Sequence, residues 1–189
     1  YGKNLIGSFY QPNEVLIDTK ILKSLPKREI LAGYSEIIKH SLIKDAKFFN
    51  WLEINFTKIL SLEYKALEKA ILKSIMIKWT YVKKDPNENL INHNSRSMLN
   101  FGHTIGHALE KIYNYKIINH GEAISIGMIA EAKISNQLGY LSKNILNKII
   151  KHFEKINLKT YDKNLKKEKI LDIIYKDKNS FKINQKYFS

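Results

Sequence analysis

Apolar residues recur at helical spacing over most of the chain. From Pro26, the run PKREILAGYSEIIKHSLIK puts a proline near a helix start and repeats apolar side chains every three to four residues, which predicts a helix through Lys44. AKFFNWLEINF, residues 46–56, predicts a second, shorter helix. A long helix is expected from Glu63 to Lys84, ending at Asp85-Pro86 because a proline disfavours helical backbone in the residue before it. NENLINHNS reads as a polar loop. RSMLNFGHTIGHALEKIY, residues 96–113, predicts one continuous helix. GEAISIGMIAEAKISNQLG predicts another, with Gly139 at its C-terminal end. Two further helices are expected over 144–156 and 167–176. Sheet signals are confined to the ends. EVLID, residues 14–18, reads as a short strand after a turn at Pro12, and the tail KINQKYFS reads as a strand lacking its partner. There is no internal repeat and no low-complexity linker. The expected fold class is mainly α, multihelical, with short strand remnants at the ends.

The helix expected over 96–113 contains two Gly-His pairs, although a glycine costs about 1 kcal/mol against alanine in a helix interior. Arg96, Asn100, His103 and His107 are spaced by 4, 3 and 4, so they would fall in one line along it. Met98, Phe101, Ile105, Ala108, Leu109 and Ile112 lie opposite and would pack into a core. A solvated line would carry lysine and glutamate. This one carries a guanidinium, an amide and two imidazoles, groups that bind anions, hydroxyls and metals. The missing side chains of Gly102 and Gly106 would let another backbone or a ligand come close.

Histidines at i and i+4 can share a metal, as in H-E-x-x-H, but Thr104 follows the first one here, so the metalloprotease base is absent. His120, in NHGEA, stands just before a helix and can project into a pocket. Glu36 shares a helical face with Lys39 among apolar residues, so it needs either that ion pair or a metal. One carboxylate and two imidazoles suit a catalytic divalent ion with open positions, zinc above all. His40, His93 and His152 form no such constellation and are expected to be structural or exposed.

Composition narrows the function classes. The chain has 189 residues, 44% hydrophobic and 26% charged, the balance of a soluble globular protein with one domain and a fragment of another. The absence of cysteine excludes disulfides, thiolate metal sites and a cysteine nucleophile, and it fits a reducing, cytoplasmic setting. No apolar run is long enough to span a membrane, and the first residues lack the apolar core of a signal peptide. With no initiator methionine, a piece of a longer protein is expected. The net charge of +14 comes from lysines spread through every segment, with Arg28 and Arg96 the only arginines. That distribution argues for solvated faces rather than nucleic acid, and it is compatible with a basic pocket for an anionic small substrate.

The segments GKNLIGSFYQP, LKSLPKREILAGYSEIIKH, FFNWLE, LNFGHTIGHALE and HGEAISIGMIAEA, in this order over nearly the whole chain, resemble the 3-dehydroquinate synthase family. Iron-dependent and glycerol dehydrogenases and the deoxy-inosose synthases share that fold but usually do not combine GKN…FYQP with LNFGHTIGHA. The resemblance implies an N-terminal α/β domain that binds most of NAD and a C-terminal helical domain that carries the metal and many substrate contacts. Residues 1–25 would end the first domain, and 26–189 would form the second, stopping before the family's last strand and helices. It implies conversion of 3-deoxy-D-arabino-heptulosonate 7-phosphate to 3-dehydroquinate and phosphate, with NAD used transiently, zinc or cobalt as the metal, and a homodimer as the full-length enzyme.

By motif, the resemblance makes Glu36, His103 and His120 the metal ligands and turns His107 toward substrate. Arg96 and Asn100 would hold substrate oxygens or anionic groups, and Lys39 and Lys78 would reach the substrate. His107, Lys39, Arg96 and Asn100 form the implied catalytic set. Lys3 and Asn4 match GKN at the junction of cofactor and substrate. Glu29 and Ser24, where the family more often has threonine, match positions near the NAD adenosine. Lys178 matches the first lysine of a family DKK, with Asn179 in place of the second. The loop between Asp85 and Arg96 is longer than the family's, so the motif LNFGHT fixes Arg96 but nothing fixes Glu88 against the family. The competing readings are another metal-dependent polyol dehydrogenase or sugar-phosphate cyclase of this fold, and a non-catalytic basic binding module.

Overall fold

Helix follows helix through residues 10–165, the part of the chain described by this computed structural model. The helix expected over 167–176, the tail strand, Lys3, Asn4 and Lys178 lie outside the described residues. In order, the helices are α1 (Lys27–Lys44), α2 (Ala46–Leu60), α3 (Tyr64–Lys84), α4 (His103–Ile112), α5 (His120–Gln137) and α6 (Lys143–Lys155). α1 starts directly after Pro26, where a missing N–H costs nothing. Asp45 starts α2 by accepting from the Phe48 N–H at 2.9 Å. α3 stops before Asp85-Pro86 as expected.

The core lies where α1, α2, α3, α5 and α6 meet. Ile38, Leu52, Ala70, Ile124, Met128 and Phe153 have no exposed surface. A smaller cluster of Leu109, Ile118, Ala123 and Ile126 joins α4 to α5. α5 is buried on nearly every side from Gly121 to Ile129, as a helix with apolar residues around its circumference must be. None of the described helices is long and apolar enough to cross a membrane.

Two expectations are corrected. Residues 14–18 form no strand, and Val15, Leu16 and Ile17 are exposed. A strand needs a neighbour for its backbone hydrogen bonds, and no described segment pairs with this one. A 3-10 turn, Thr19–Ser24, follows it instead. The helix expected over 96–113 is also broken. Arg96–Asn100 is a 3-10 turn, Gly102 takes φ 79°, and α4 starts afresh at His103. The left-handed backbone favours glycine, and there is no room for more, since a Cβ on Gly102 would lie 2.6 Å from Met128 Cγ. Glu131 of α5 accepts the Gly102 N–H at 2.8 Å. Gly106 lies against Ala123 and Ile124, so the glycines of this stretch admit a neighbouring helix. Met98, expected in the core, is 38% exposed, because the 3-10 turn rotates it away from the α4 apolar face.

α1 and α5 are locked together at their N-terminal ends. Arg28 donates from Nε and Nη2 to the two carboxylate oxygens of Glu122 at 2.9 and 2.6 Å, and from Nη2 to the Ile117 carbonyl at 2.8 Å. Gly121 allows the close approach, since a Cβ there would collide with the Ala32 main chain. This contact carries Glu36, further along α1, toward the start of α5.

Candidate metal centre

Three side chains from three helices converge. Glu36 projects from α1, His103 opens α4 directly after the left-handed Gly102, and His120 opens α5. The α5 start is fixed by a capping box: Asn119 accepts the Glu122 N–H at 2.9 Å, and Glu122 accepts the Asn119 N–H at 3.2 Å. His120 is therefore the first helical residue rather than the one before the helix. Glu36 Oε1 lies 4.0 Å from His103 Nε2 and 3.8 Å from His120 Nε2. One donor atom from each residue falls within 4.8 Å of the others.

The donor set fits a divalent cation. Glu36 Oε2 receives the Lys39 ammonium at 2.7 Å, but Oε1 is buried with no hydrogen-bond partner. Such an oxygen is costly unless something positive meets it. Both imidazoles turn their Nε2 atoms there. His103 Nδ1 lies 3.2 Å from the Phe101 carbonyl, and His120 Nδ1 lies 3.3 Å from Glu110 Oε1. A main-chain carbonyl only accepts, so His103 Nδ1 carries the hydrogen and its Nε2 is left as a ligand atom.

The electrostatics suit the same role. Burial pushes the Glu36 carboxyl up, but the charge and hydrogen bond of Lys39 outweigh it and hold the group below the usual carboxylate range. Burial, helped by the Lys39 ammonium, pulls the His103 imidazole down to about 4, so it is neutral near pH 7. Burial lowers Lys39 too, against the pull of Glu36.

His107 occupies a different position. Its Nε2 faces Glu110 Oε2 at 3.9 Å, and its ring lies 5.2 Å from that of His103 and 5.9 Å from that of His120. His107, Glu110 and His120 form a second trio of donors on the other side of the His120 ring. Lys78 is exposed on α3, near enough for its charge to lower Lys39. Arg96 and Asn100 engage the loop before them: Arg96 Nη1 donates to the Pro86 carbonyl at 2.8 Å, and Asn100 Nδ2 donates to Glu88 Oε1 at 3.0 Å. Because of the break at Gly102, neither continues the line of His103 and His107. Ser24 is exposed and donates to the Ile21 carbonyl at 2.8 Å. Glu29 accepts from Asn119 Nδ2 at 3.3 Å and, with Leu22, Leu25, Ile37 and Ile71, lines an apolar cavity of about 280 Å³.

Sequence reasoning missed two carboxylates. Asp85 was read only as a helix stop, yet it is buried and accepts the N–H groups of Asn89, Leu90 and Arg96, at 2.7, 3.3 and 2.9 Å, which shapes the loop that presents Arg96. Glu110, 4% exposed, is the other, and the sequence reading assigned it no role. Its place seven residues after His103 and three after His107, on the same helical face, was the available signal.

A sequence profile described as 3-dehydroquinate synthase C-terminal matches residues 33–180, and one described as 3-dehydroquinate synthase N-terminal matches residues 1–32. The 3-dehydroquinate synthase of Thermoanaerobacter pseudethanolicus is 44% identical over 179 residues, covering 95% of this chain and 49% of that protein. The chain thus spans about half the length of the curated relatives it matches. Among solved structures, the 2-epi-5-epi-valiolone synthase of Streptomyces hygroscopicus, with NAD+ and Zn2+ bound, superposes with a TM-score of 0.80 at 22% identity, covering 92% of this chain and 48% of that one. A 2-deoxy-scyllo-inosose synthase complexed with carbaglucose-6-phosphate, NAD+ and Co2+ gives 0.60 at 26% identity, covering 97% and 49%.

Proposed function

This chain belongs to the 3-dehydroquinate synthase family, and from that premise we propose that it forms the metal- and substrate-binding half of an enzyme converting 3-deoxy-D-arabino-heptulosonate 7-phosphate to 3-dehydroquinate and phosphate. The observation that carries the reading is the buried Glu36 Oε1, with no hydrogen-bond partner, facing the Nε2 atoms of His103 and His120. Residues 1–25 belong to the end of the NAD-binding domain on this reading, and Ser24 and Glu29 border the adenosine. The setting is the shikimate pathway in the cytoplasm, in a homodimer. The substrate-analogue complex of the inosose synthase supports a sugar phosphate as ligand.

NAD would supply a transient hydride acceptor, and zinc or cobalt held by Glu36, His103 and His120 would lower the pKa of a bound hydroxyl and polarise the carbonyl made from it. The other residues bind and orient. Lys39 sits behind Glu36 and compensates its charge, while Lys78 offers an exposed ammonium to an anionic group. Arg96, positioned by Asp85, presents a planar guanidinium suited to carboxylate or phosphate. His107, with its side chain 42% exposed, faces the substrate and can take or give a proton at a ring nitrogen.

Product analysis tests the reading. The full-length enzyme containing this chain, given the heptulosonate phosphate, NAD and zinc, should yield 3-dehydroquinate and phosphate. Turnover of a different sugar phosphate or polyol in its place would assign it to another activity of the fold.

A further inference from the structure

We propose that Glu110 is a positioning residue that fixes the proton on Nδ1 of His120 and so aims the Nε2 lone pair at Glu36. The inference rests on the metal reading of Glu36, His103 and His120 and adds a residue that the ligand motif leaves out. Glu110 is 4% exposed on α4, between two imidazoles. Its Oε1 lies 3.3 Å from His120 Nδ1 and its Oε2 lies 3.9 Å from His107 Nε2. An ionised carboxylate only accepts hydrogen bonds, so the facing nitrogen of His120 must be the protonated one. The opposite nitrogen, Nε2, then points at Glu36 Oε1, 3.8 Å away, with its lone pair available. The negative charge behind the ring also makes Nε2 a stronger donor to a cation.

The two histidines differ in how this is arranged. For His103 the acceptor is a main-chain carbonyl, Phe101, which no substitution removes. For His120 it is one side chain from another helix, so a single change can release it. The second oxygen of the same carboxylate faces His107, which places the substrate-facing histidine and a metal ligand on one buried group.

The tautomer can be read without any ion. In the native 189-residue chain with 15N-labelled imidazoles, long-range proton–nitrogen NMR at mildly alkaline pH, where imidazoles are neutral, should show His120 protonated at Nδ1. Glu110→Gln removes the negative charge behind the ring and replaces one carboxylate oxygen with an NH2 donor, and it should shift His120 toward the Nε2-protonated form. Zinc affinity, measured by competition with a chromophoric chelator, should fall about 10- to 100-fold in Glu110→Gln, with a melting temperature close to native, and should recover in part in Glu110→Asp. Native His120 protonated at Nε2 would overturn the proposal, whether or not zinc binds and whether or not the variant folds. Unchanged tautomer and zinc affinity in Glu110→Gln would overturn it as well. Failure of the native chain itself to bind zinc would instead count against the metal reading, and the native tautomer would still decide the role of Glu110.

Discussion

Arg96 and His152 show how differently two polar side chains can be held in one small domain. Arg96 is half-buried, with its backbone fixed by Asp85 and its guanidinium against the Pro86 carbonyl. Its surroundings ask little of it for stability. In the full-length enzyme, Arg96→Lys should lower kcat/KM by at least about tenfold, the worth of one charge-assisted hydrogen bond, while the melting temperature barely moves. A large stability loss with native kinetics would make it a structural arginine. His152 is buried among Tyr34, Phe49 and Phe56. Burial, with Lys155 nearby, holds its imidazole down to about 4, and burial does the same to His40. Unfolded histidines titrate near 6.5, so between about 4 and about 6.5 the unfolded chain binds more protons. Stability therefore falls as pH drops through that window and levels off below it. His152→Phe should remove roughly 1–2 kcal/mol of the loss between pH 7 and pH 5, read from urea midpoints; an undiminished loss would contradict the argument. Both histidines lacked partners in the sequence pattern because their partners are aromatic rings and Ser74, brought in from other helices. Glu36, His103 and His120 were legible because family motifs carry them, whereas Asp85 and Glu110 do their work through tertiary contacts that spacing alone does not reveal.

Helices were legible where the apolar period was long and the end signals were local. The extents of α1, α3 and α6 follow from Pro26, Asp85-Pro86 and the apolar faces, and α2 runs four residues beyond its expected end at Phe56. The break at Gly102 was not legible as a break, because a left-handed glycine and a helical glycine look alike in sequence. Its cause is α5, whose Met128 and Ile124 crowd that position. The capping box N-x-x-E before α5 was readable and places His120 one residue inside the helix. The strand expected over 14–18 fails for lack of a pairing edge among the described residues. The α1–α5 contact decides whether Glu36 and His120 meet. Gly121→Ala places a methyl against the Ala32 main chain, which cannot move as a side-chain tip can. It should cost about 1–3 kcal/mol of stability and weaken zinc binding, although the residue touches no ligand atom. Native zinc affinity in Gly121→Ala would show that helix spacing does not govern the centre.

At the scale of the whole molecule, the chain spans about half the length of the relatives it matches. Its sequence contains no glycine-rich dinucleotide turn following a strand, the usual grip on NAD. The 189 residues alone, given NAD, zinc and the heptulosonate phosphate, should therefore release no phosphate; steady release would mean that the cofactor is held elsewhere than proposed. The charge of +14 comes mostly from lysines spread along the chain, and Lys39, buried behind Glu36, is tied to the centre by an ion pair. The centre itself depends on α1, α4 and α5 holding one carboxylate oxygen and two ring nitrogens together. Elemental analysis of the purified native chain, His103→Ala and His107→Ala after zinc loading tests that most directly. One zinc per chain is expected in the native protein, nearly the same in His107→Ala, and strong loss in His103→Ala. Equal loss from both substitutions would contradict it and return the metal to the i, i+4 histidine pair.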